Sequence, residues 1–329
     1  MRATPFMPTR RHAAALVASG LALLAAGPAQ AQDYPAKPIT IVVGYPPGGS
    51  TDLMGRLVGT ELSIRLGQPV VIENLGGAGG TIGAQKVASA APDGYTLLVG
   101  ANNELAIAKL ATKSVKYSAA NFTPIGLIGS QPMVLVASTA SGVKNANDFT
   151  QLVKKNPGKF SYGSSGVGTA LHLAGEMVKE QAGLFMTHIP YRGVAPLTND
   201  LVGNNLEFGV FVLSSGLPHI KSGKVVALGT TAAKRAPATP DIPALAEFPQ
   251  FKNVDIESWF ALVGPAGLPQ PVVAKLKKAL NDTLQSPDFR KKMAAAGSGV
   301  AAPDVDLAAF WRAEIAKYTK IVQFAKIEE

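Results

Sequence analysis

Two runs combine paired glycines with hydroxyl side chains: Pro46-Pro47-Gly48-Gly49-Ser50-Thr51-Asp52 and Ser164-Ser165-Gly166-Val167-Gly168-Thr169. Each follows a β-branched or aromatic stretch and leads into apolar residues at helical spacing, which predicts a strand-to-helix turn. Glycine there lets the backbone approach a ligand, and the first helical N–H groups are unpaired at the positive end of the helix dipole. One such turn suits an anion, and two could grip one acid between them. Gly48, Gly49, Ser50 and Thr51 are the candidate contacts in the first turn. Asp52 would repel an anion, so it is expected to face sideways and hold the loop. The second turn offers Ser164, Ser165, Gly168 and Thr169, with His172 one helical turn further on. Arg192, at a strand end before Gly193, is placed where it could pair a carboxylate. The alternation around Glu207 puts that side chain opposite buried ones and outside the site.

Other chemistries lack their residues. There is no G-x-S-x-G elbow, P-loop or S-x-x-K motif. The run Gly77-Ala78-Gly79-Gly80-Thr81-Ile82-Gly83 follows a strand, but no acidic residue closes a neighbouring strand as a dinucleotide fold requires. His188 and His219 have no partner at metal-ligand spacing and read as structural. With no cysteine there is neither thiol nucleophile nor disulfide. No catalysis, cofactor or metal is expected.

The elements that position the two turns alternate β-α-β-α, a pattern of parallel sheets covered by helices. Strands are predicted over 39–44, 70–73, 96–100 and 122–128, with helices over 52–66 and 81–90. After Gln131-Pro132 the pattern restarts, with strands over 133–137, 160–163, 186–190, 208–213 and 225–230 and helices over 169–181 and 195–202. Following a Pro/Ala-rich connection come a strand over 257–263, a helix opened by Pro271, and two more helices. The last, over 306–324, gathers Phe310, Trp311, Ile315, Tyr318 and Val322 into a core-facing stripe. The two halves repeat at offsets of roughly 110 to 116 residues, in pattern and not in identity. This predicts an α/β fold of two similar lobes, with a cleft at the carboxyl ends of their strands.

Residues 1–31 read as a cleaved export signal: Arg2, Arg10 and Arg11, an apolar run from Ala13 to Ala26, then Ala29-Gln30-Ala31. Setting those three arginines aside takes the net charge from +9 to +6. The excess is scattered among acidic neighbours on predicted helix faces, which argues against nucleic acid as a partner.

The residues also carry a resemblance. Tyr34-Pro35-x-Lys37-Pro38-Ile39, Pro46 to Asp52, Leu66-Gly67-Gln68-Pro69-Val70-Val71-x-Glu73-Asn74, Gly77 to Gly83 and Pro92-Asp93-Gly94-Tyr95-Thr96 closely resemble the Bug family. Its members are extracytoplasmic solute receptors of tripartite tricarboxylate transporters. The match continues through His172-Leu173-Ala174-x-Glu176, His188-x-Pro190-Tyr191-Arg192-Gly193, Pro240-Asp241-Ile242-Pro243 and Trp259, over essentially the whole mature chain.

The resemblance implies a two-lobed type II periplasmic binding protein fold closing on a carboxylate held by backbone groups, hydroxyls and water. It assigns 32–131 and 254–329 to lobe 1 and 132–253 to lobe 2, with Trp259 as core in the return to lobe 1. It adds Tyr45 to the first turn. Gly79, Asn102, Tyr191, Arg192, Phe211 and Val212 complete the predicted ligand-facing set, with Asn102, Arg192 and the Phe211-Val212 segment reading the part of the ligand beyond its acid group. Amino-acid-binding members often carry an acidic residue where this chain reads Phe211-Val212-Leu213, and Val212 cannot pair with an ammonium group. The implied ligand is therefore a di- or aromatic carboxylate without a free amine. The implied protein is a periplasmic monomer that meets integral membrane transporter subunits transiently; a ligand-sensing receptor for a membrane sensor kinase is the alternative.

Overall fold

The computed structural model describes residues 34–325 and 327; the predicted export signal lies outside them. From Lys37 onward the chain is built on a mixed sheet in the order β2-β1-β3-β9-β4-β7-β5-β6, with β8 and β10 also paired to β4. In the first half β1 (Ile39–Val43) lies parallel to β2 (Val70–Asn74) and β3 (Thr96–Ala101). Ile41, Val42 and Val43 are all fully buried, as expected of a strand covered on both faces. Helix α1 (Ser50–Leu66) returns across β1 at very short range, since a Cβ on Gly55 would lie 2.7 Å from Val43 Cγ2. Helix α2 (Thr81–Ala88) links β2 to β3.

Strand β4 runs unbroken from Phe122 to Ser138. This corrects the predicted restart at Gln131-Pro132. Residues 122–132 pair antiparallel with β9 (Glu257–Pro265), whereas 133–138 pair antiparallel with β7 (Phe208–Val212) and β8 (Val225–Thr230). Pro132 thus sits where the strand leaves one set of partners for another, a position that tolerates a residue without an N–H. The sheets are mixed and not purely parallel, because β4, β8 and β9 run against their neighbours.

The second half adds helix α3 (Ala146–Lys155), β5 (Ser161–Ser164), α4 (Ala170–Ala182), β6 (Thr187–Pro190), α5 (Val194–Val202) and α6 (Leu213–Lys221). Strand β5 is parallel to β6 and β7. The chain closes with α7 (Gln270–Gln285), α8 (Pro287–Ala295), the short β10 (Gly299–Val300) and α9 (Leu307–Ala325).

Helix α9 buries Trp311, Tyr318 and Val322, as its stripe predicts. Its polar tips also position the site. Trp311 Nε1 donates to Leu105 O at 2.8 Å, and Asn102 Nδ2 donates to Tyr318 Oη at 2.7 Å. Between those anchors the chain makes a wide π-type turn over Asn103–Ile107, a geometry that recurs at functional sites. Trp259 is buried in β9, with Phe310 edge-on to its ring at 5.3 Å.

Candidate ligand-binding site

The two Gly/Ser turns face a common space. An inner cavity of about 250 Å³ is lined by Tyr45 to Thr51, Ala101, Asn102, Asn103 and Ser258 on one hand, and by residues of the Ser165–Leu171 turn, α5 and α6 on the other. An outer cavity of about 760 Å³ adjoins it, sharing Tyr45, Pro46, Asn103, Ser165 and Gly193. The inner one lies just below the ~300–1,000 Å³ typical of drug-sized sites, which fits a smaller ligand.

Three helices begin on the inner cavity. The first-turn N–H groups of Ser50 and Thr51 in α1 have no acceptor among the described residues, and Gly49 provides no side-chain cap. Their hydroxyls are likewise unpartnered. In α4, Thr169 Oγ1 accepts from His172 N and Asn103 Oδ1 accepts from Ala170 N at 3.0 Å, which leaves Leu171 N–H open. In α5, Val194 and Ala195 N–H are open behind an uncapped Gly193. Five backbone donors and two hydroxyls, drawn from both halves, therefore surround a small space whose electrostatics favour an anion.

Acidic groups nearby are committed elsewhere. Asp52 Oδ2 accepts from Gly48 N and Arg56 Nε, and Oδ1 accepts from Asn74 Nδ2, so the carboxylate faces sideways and braces the loop. Burial pulls its pKa up, but those bonds together outweigh burial and leave it below the ordinary value. Glu104 is buried beneath the Tyr45 wall. Its Oε1 accepts from Ala101 N at 2.8 Å and its Oε2 from the Tyr45 hydroxyl at 2.8 Å. A Cβ on Gly80, at φ +93, would meet Glu104 Oε2 at 2.9 Å, so only glycine fits there. Among the described residues no aspartate or glutamate lines either cavity.

Of the residues expected at the ligand, Tyr45, Gly48, Gly49, Ser50, Thr51, Asn102, Ser165, Thr169 and Val212 line the inner cavity. Gly79, Gly168, Tyr191 and Arg192 line only the outer one. Arg192 is the one charged side chain there among the described residues, and it is exposed.

Ser164, His172 and Phe211 lie behind the wall and are corrections. Ser164 is fully buried, with its hydroxyl 2.7 Å from His188 Nε2. His172 Nδ1 accepts from Gly168 N at 3.1 Å, and its ring stacks on His188 at 3.8 Å. These three side chains shape the turn from beneath. Phe211 is fully buried in an apolar cluster with Val134 and Leu217.

Asn103, Ser215, His219, Ser258 and the start of α5 were not predicted. His219, read above as structural, lines the inner cavity. The pairing of Gly193 with a downstream Pro196 was the legible signal for α5. Asn102 is a fixed wall: its Nδ2 also donates to Glu257 O, and its Oδ1 accepts from Ser258 Oγ.

The buried titrating groups give a pH profile of definite sign. Burial pushes Glu104 up to about 7, against hydrogen bonds from Ala101 and Tyr45 that favour its charged form. The fold therefore holds a proton that the unfolded chain loses above its ordinary value of 4.5. That contribution is present below pH 4.5 and is lost as pH rises through 7, an effect of about 3 kcal/mol at most. Burial lowers His172 to about 4 and, together with His172, lowers His188 to about 3. Their contribution is present above pH 6.5 and is lost as pH falls towards 4. Two protons oppose one, so thermal unfolding midpoints should fall on acidification below about pH 6. Glu104→Gln should gain on the parent as pH rises from 4.5 to 8; midpoints that stay parallel across that range would contradict this assignment.

Comparison with known proteins places these features in a family. Residues 54–327 match the model of the tripartite tricarboxylate transporter family receptor. The chain belongs to this family of periplasmic solute-binding receptors. It is 34% identical to protein BugT of Bordetella pertussis over 285 residues, covering 85% of this chain and 86% of that protein. Among solved structures it is similar to R. palustris Rpa4515 with adipate, at 31% identity and a TM-score of 0.86 over 90% of this chain and 99% of that one. It is also similar to MatC from Rhodopseudomonas palustris with bound malate, at 31% identity and a TM-score of 0.82 over 88% and 100%. Among the described residues of this family member no helix is long and apolar enough to cross a membrane.

Proposed function

We propose that this receptor is exported to the periplasm, captures a small carboxylate without a free ammonium group, and hands it to the membrane subunits of a tripartite tricarboxylate transporter without turning it over. A di- or aromatic carboxylate is favoured. The observation that carries this reading is the convergence of three helix starts, two of them uncapped and the third with Leu171 N–H open, from distant parts of the chain on one small cavity with no acidic lining. The adipate and malate bound to relatives belong to the same ligand class.

In this reading 32–131 with 254–329 and 132–253 act as two lobes that close on the acid. A carboxylate leaving water needs several donors together, and donors on both lobes supply them only when the lobes meet. Isothermal titration with succinate, glutarate, aspartate and glutamate tests the proposal. An ammonium group would enter the cavity with no counter-charge, so each amino acid should bind at least about 100-fold more weakly than its amine-free diacid. Tighter binding of aspartate or glutamate would overturn the amine-free assignment.

A further inference from the structure

Ser215 is the residue in the inner cavity whose state the carboxylate reading leaves unexplained. Its hydroxyl is shielded from solvent and has no hydrogen-bond partner, yet the residue lines the cavity. Native folds rarely leave a buried hydroxyl unpaired, and one on a residue that lines a cavity is most simply completed by what enters there. The group is also held in place. Ser214 N donates to Gln131 Oε1 at 2.8 Å, and a Cβ on Gly216 would lie 3.1 Å from Phe211 Cβ, so α6 is pressed tightly onto the sheet.

His219 follows Ser215 by four residues, one turn along the same helix face, and lines the same cavity. Its ring makes no hydrogen bond within the described residues. Burial and Lys224 hold its pKa below the ordinary value, so at neutral pH it is an uncharged group able to donate from one ring nitrogen. Ser215 lies in the first turn of α6, where the helix dipole favours negative charge. Val194, Ala195 and Val212 add apolar side chains, suited to methylenes, to the same lining.

We propose that Ser215 and His219 form a second polar subsite, which receives the far carboxylate of an aliphatic dicarboxylate whose first carboxylate lies at the starts of α1, α4 and α5. This rests on the carboxylate reading above and narrows it to diacids. It also moves the recognition of the second acid group away from Arg192, which lines the outer cavity alone.

Titration calorimetry with succinate, glutarate and adipate, each beside its monomethyl ester, tests the subsite. The parent protein should bind its best diacid at least about tenfold more tightly than the matching ester. Ser215→Ala should erase most of that preference while leaving ester affinity unchanged, and its unliganded thermal midpoint should not fall, because the hydroxyl removed had no partner. His219→Leu should act in the same direction, and His219→Gln, which keeps a donor, should recover part of the preference. A parent-like diacid-to-ester ratio in Ser215→Ala and His219→Leu would overturn the subsite alone, as would loss of the ratio in Arg192→Ala but in neither α6 variant. Failure of every diacid and ester to bind the parent protein would overturn the carboxylate reading and the subsite together.

Discussion

Ser165→Phe is expected to abolish ligand-induced thermal stabilisation while leaving the unliganded receptor folded. Ser165 is half-buried and lines both cavities at their junction. Among the described residues its hydroxyl makes one hydrogen bond, a long one of 3.4 Å from Oγ to Thr169 Oγ1, so the fold loses little with it. A phenyl ring there occupies the space between the two glycine turns and blocks both the acid and the approach of the two halves. A ligand at 100 times its Kd stabilises the parent by about 2.7 kcal/mol, which raises the midpoint of a chain this size by roughly 5 °C or more. The variant should show no rise at the same concentration of succinate or adipate. Ser165→Ala, which removes only the hydroxyl, should keep most of it. A parent-like rise in Ser165→Phe would place the ligand elsewhere.

The second large effect is expected at Asn103. Its Nδ2 donates to Gly79 O at 2.5 Å, and its Oδ1 accepts from Ala170 N at 3.0 Å. One buried amide thereby ties the loop before α2 to the start of α4, across the two halves. Asn103→Leu keeps the bulk and removes both bonds; Gly79 O keeps the Tyr45 hydroxyl as a donor at 2.9 Å, so the group left unpaired is Ala170 N–H. At about 2 kcal/mol, the middle of the usual range for one buried unpaired group, affinity should fall roughly 30-fold. Most of the change should appear as faster release, since the bond to Ala170 N must break before the start of α4 moves away from Asn103. Asn103→Asp tests the donor separately: it can still accept from Ala170 N but not donate to Gly79 O, and it adds a negative charge beside the site. Stopped-flow release rates equal to those of the parent in both variants would contradict this cross-link.

The features read from local chemistry survived best. Paired glycines followed by hydroxyls marked both turns, because a helix start needs donors satisfied from outside and glycine permits the approach. Asp52 was legible for the same reason: a carboxylate four residues from Arg56 and Gly48 finds partners within its own loop. The stripe of α9 was legible because burial imposes a period.

What failed depended on contacts between distant segments. Pro132 looked like a strand end but lies inside β4, where the strand changes partners. No helix is predicted between the strands over 208–213 and 225–230, yet α6 forms there, with Gly216 letting it lie close to Phe211 and Val134. His172 sits at a spacing that allowed either side of the helix; the Gly168 N–H and the His188 ring drew it under the turn. Asn103 and Glu104 carry no local motif, and their roles appear only when Gly79, Tyr45 and Ala170 arrive from elsewhere in the chain.

The most direct measurement is a crystal structure of the receptor grown with succinate or adipate. A carboxylate should lie in the inner cavity, within about 3.2 Å, directly or through one ordered water, of the N–H groups of Thr51 and Leu171 and of the Ser50 or Thr51 hydroxyl. An acid bound only in the outer cavity against Arg192, or an inner cavity that stays free of acid at saturating concentration, would contradict carboxylate capture by the facing helix starts.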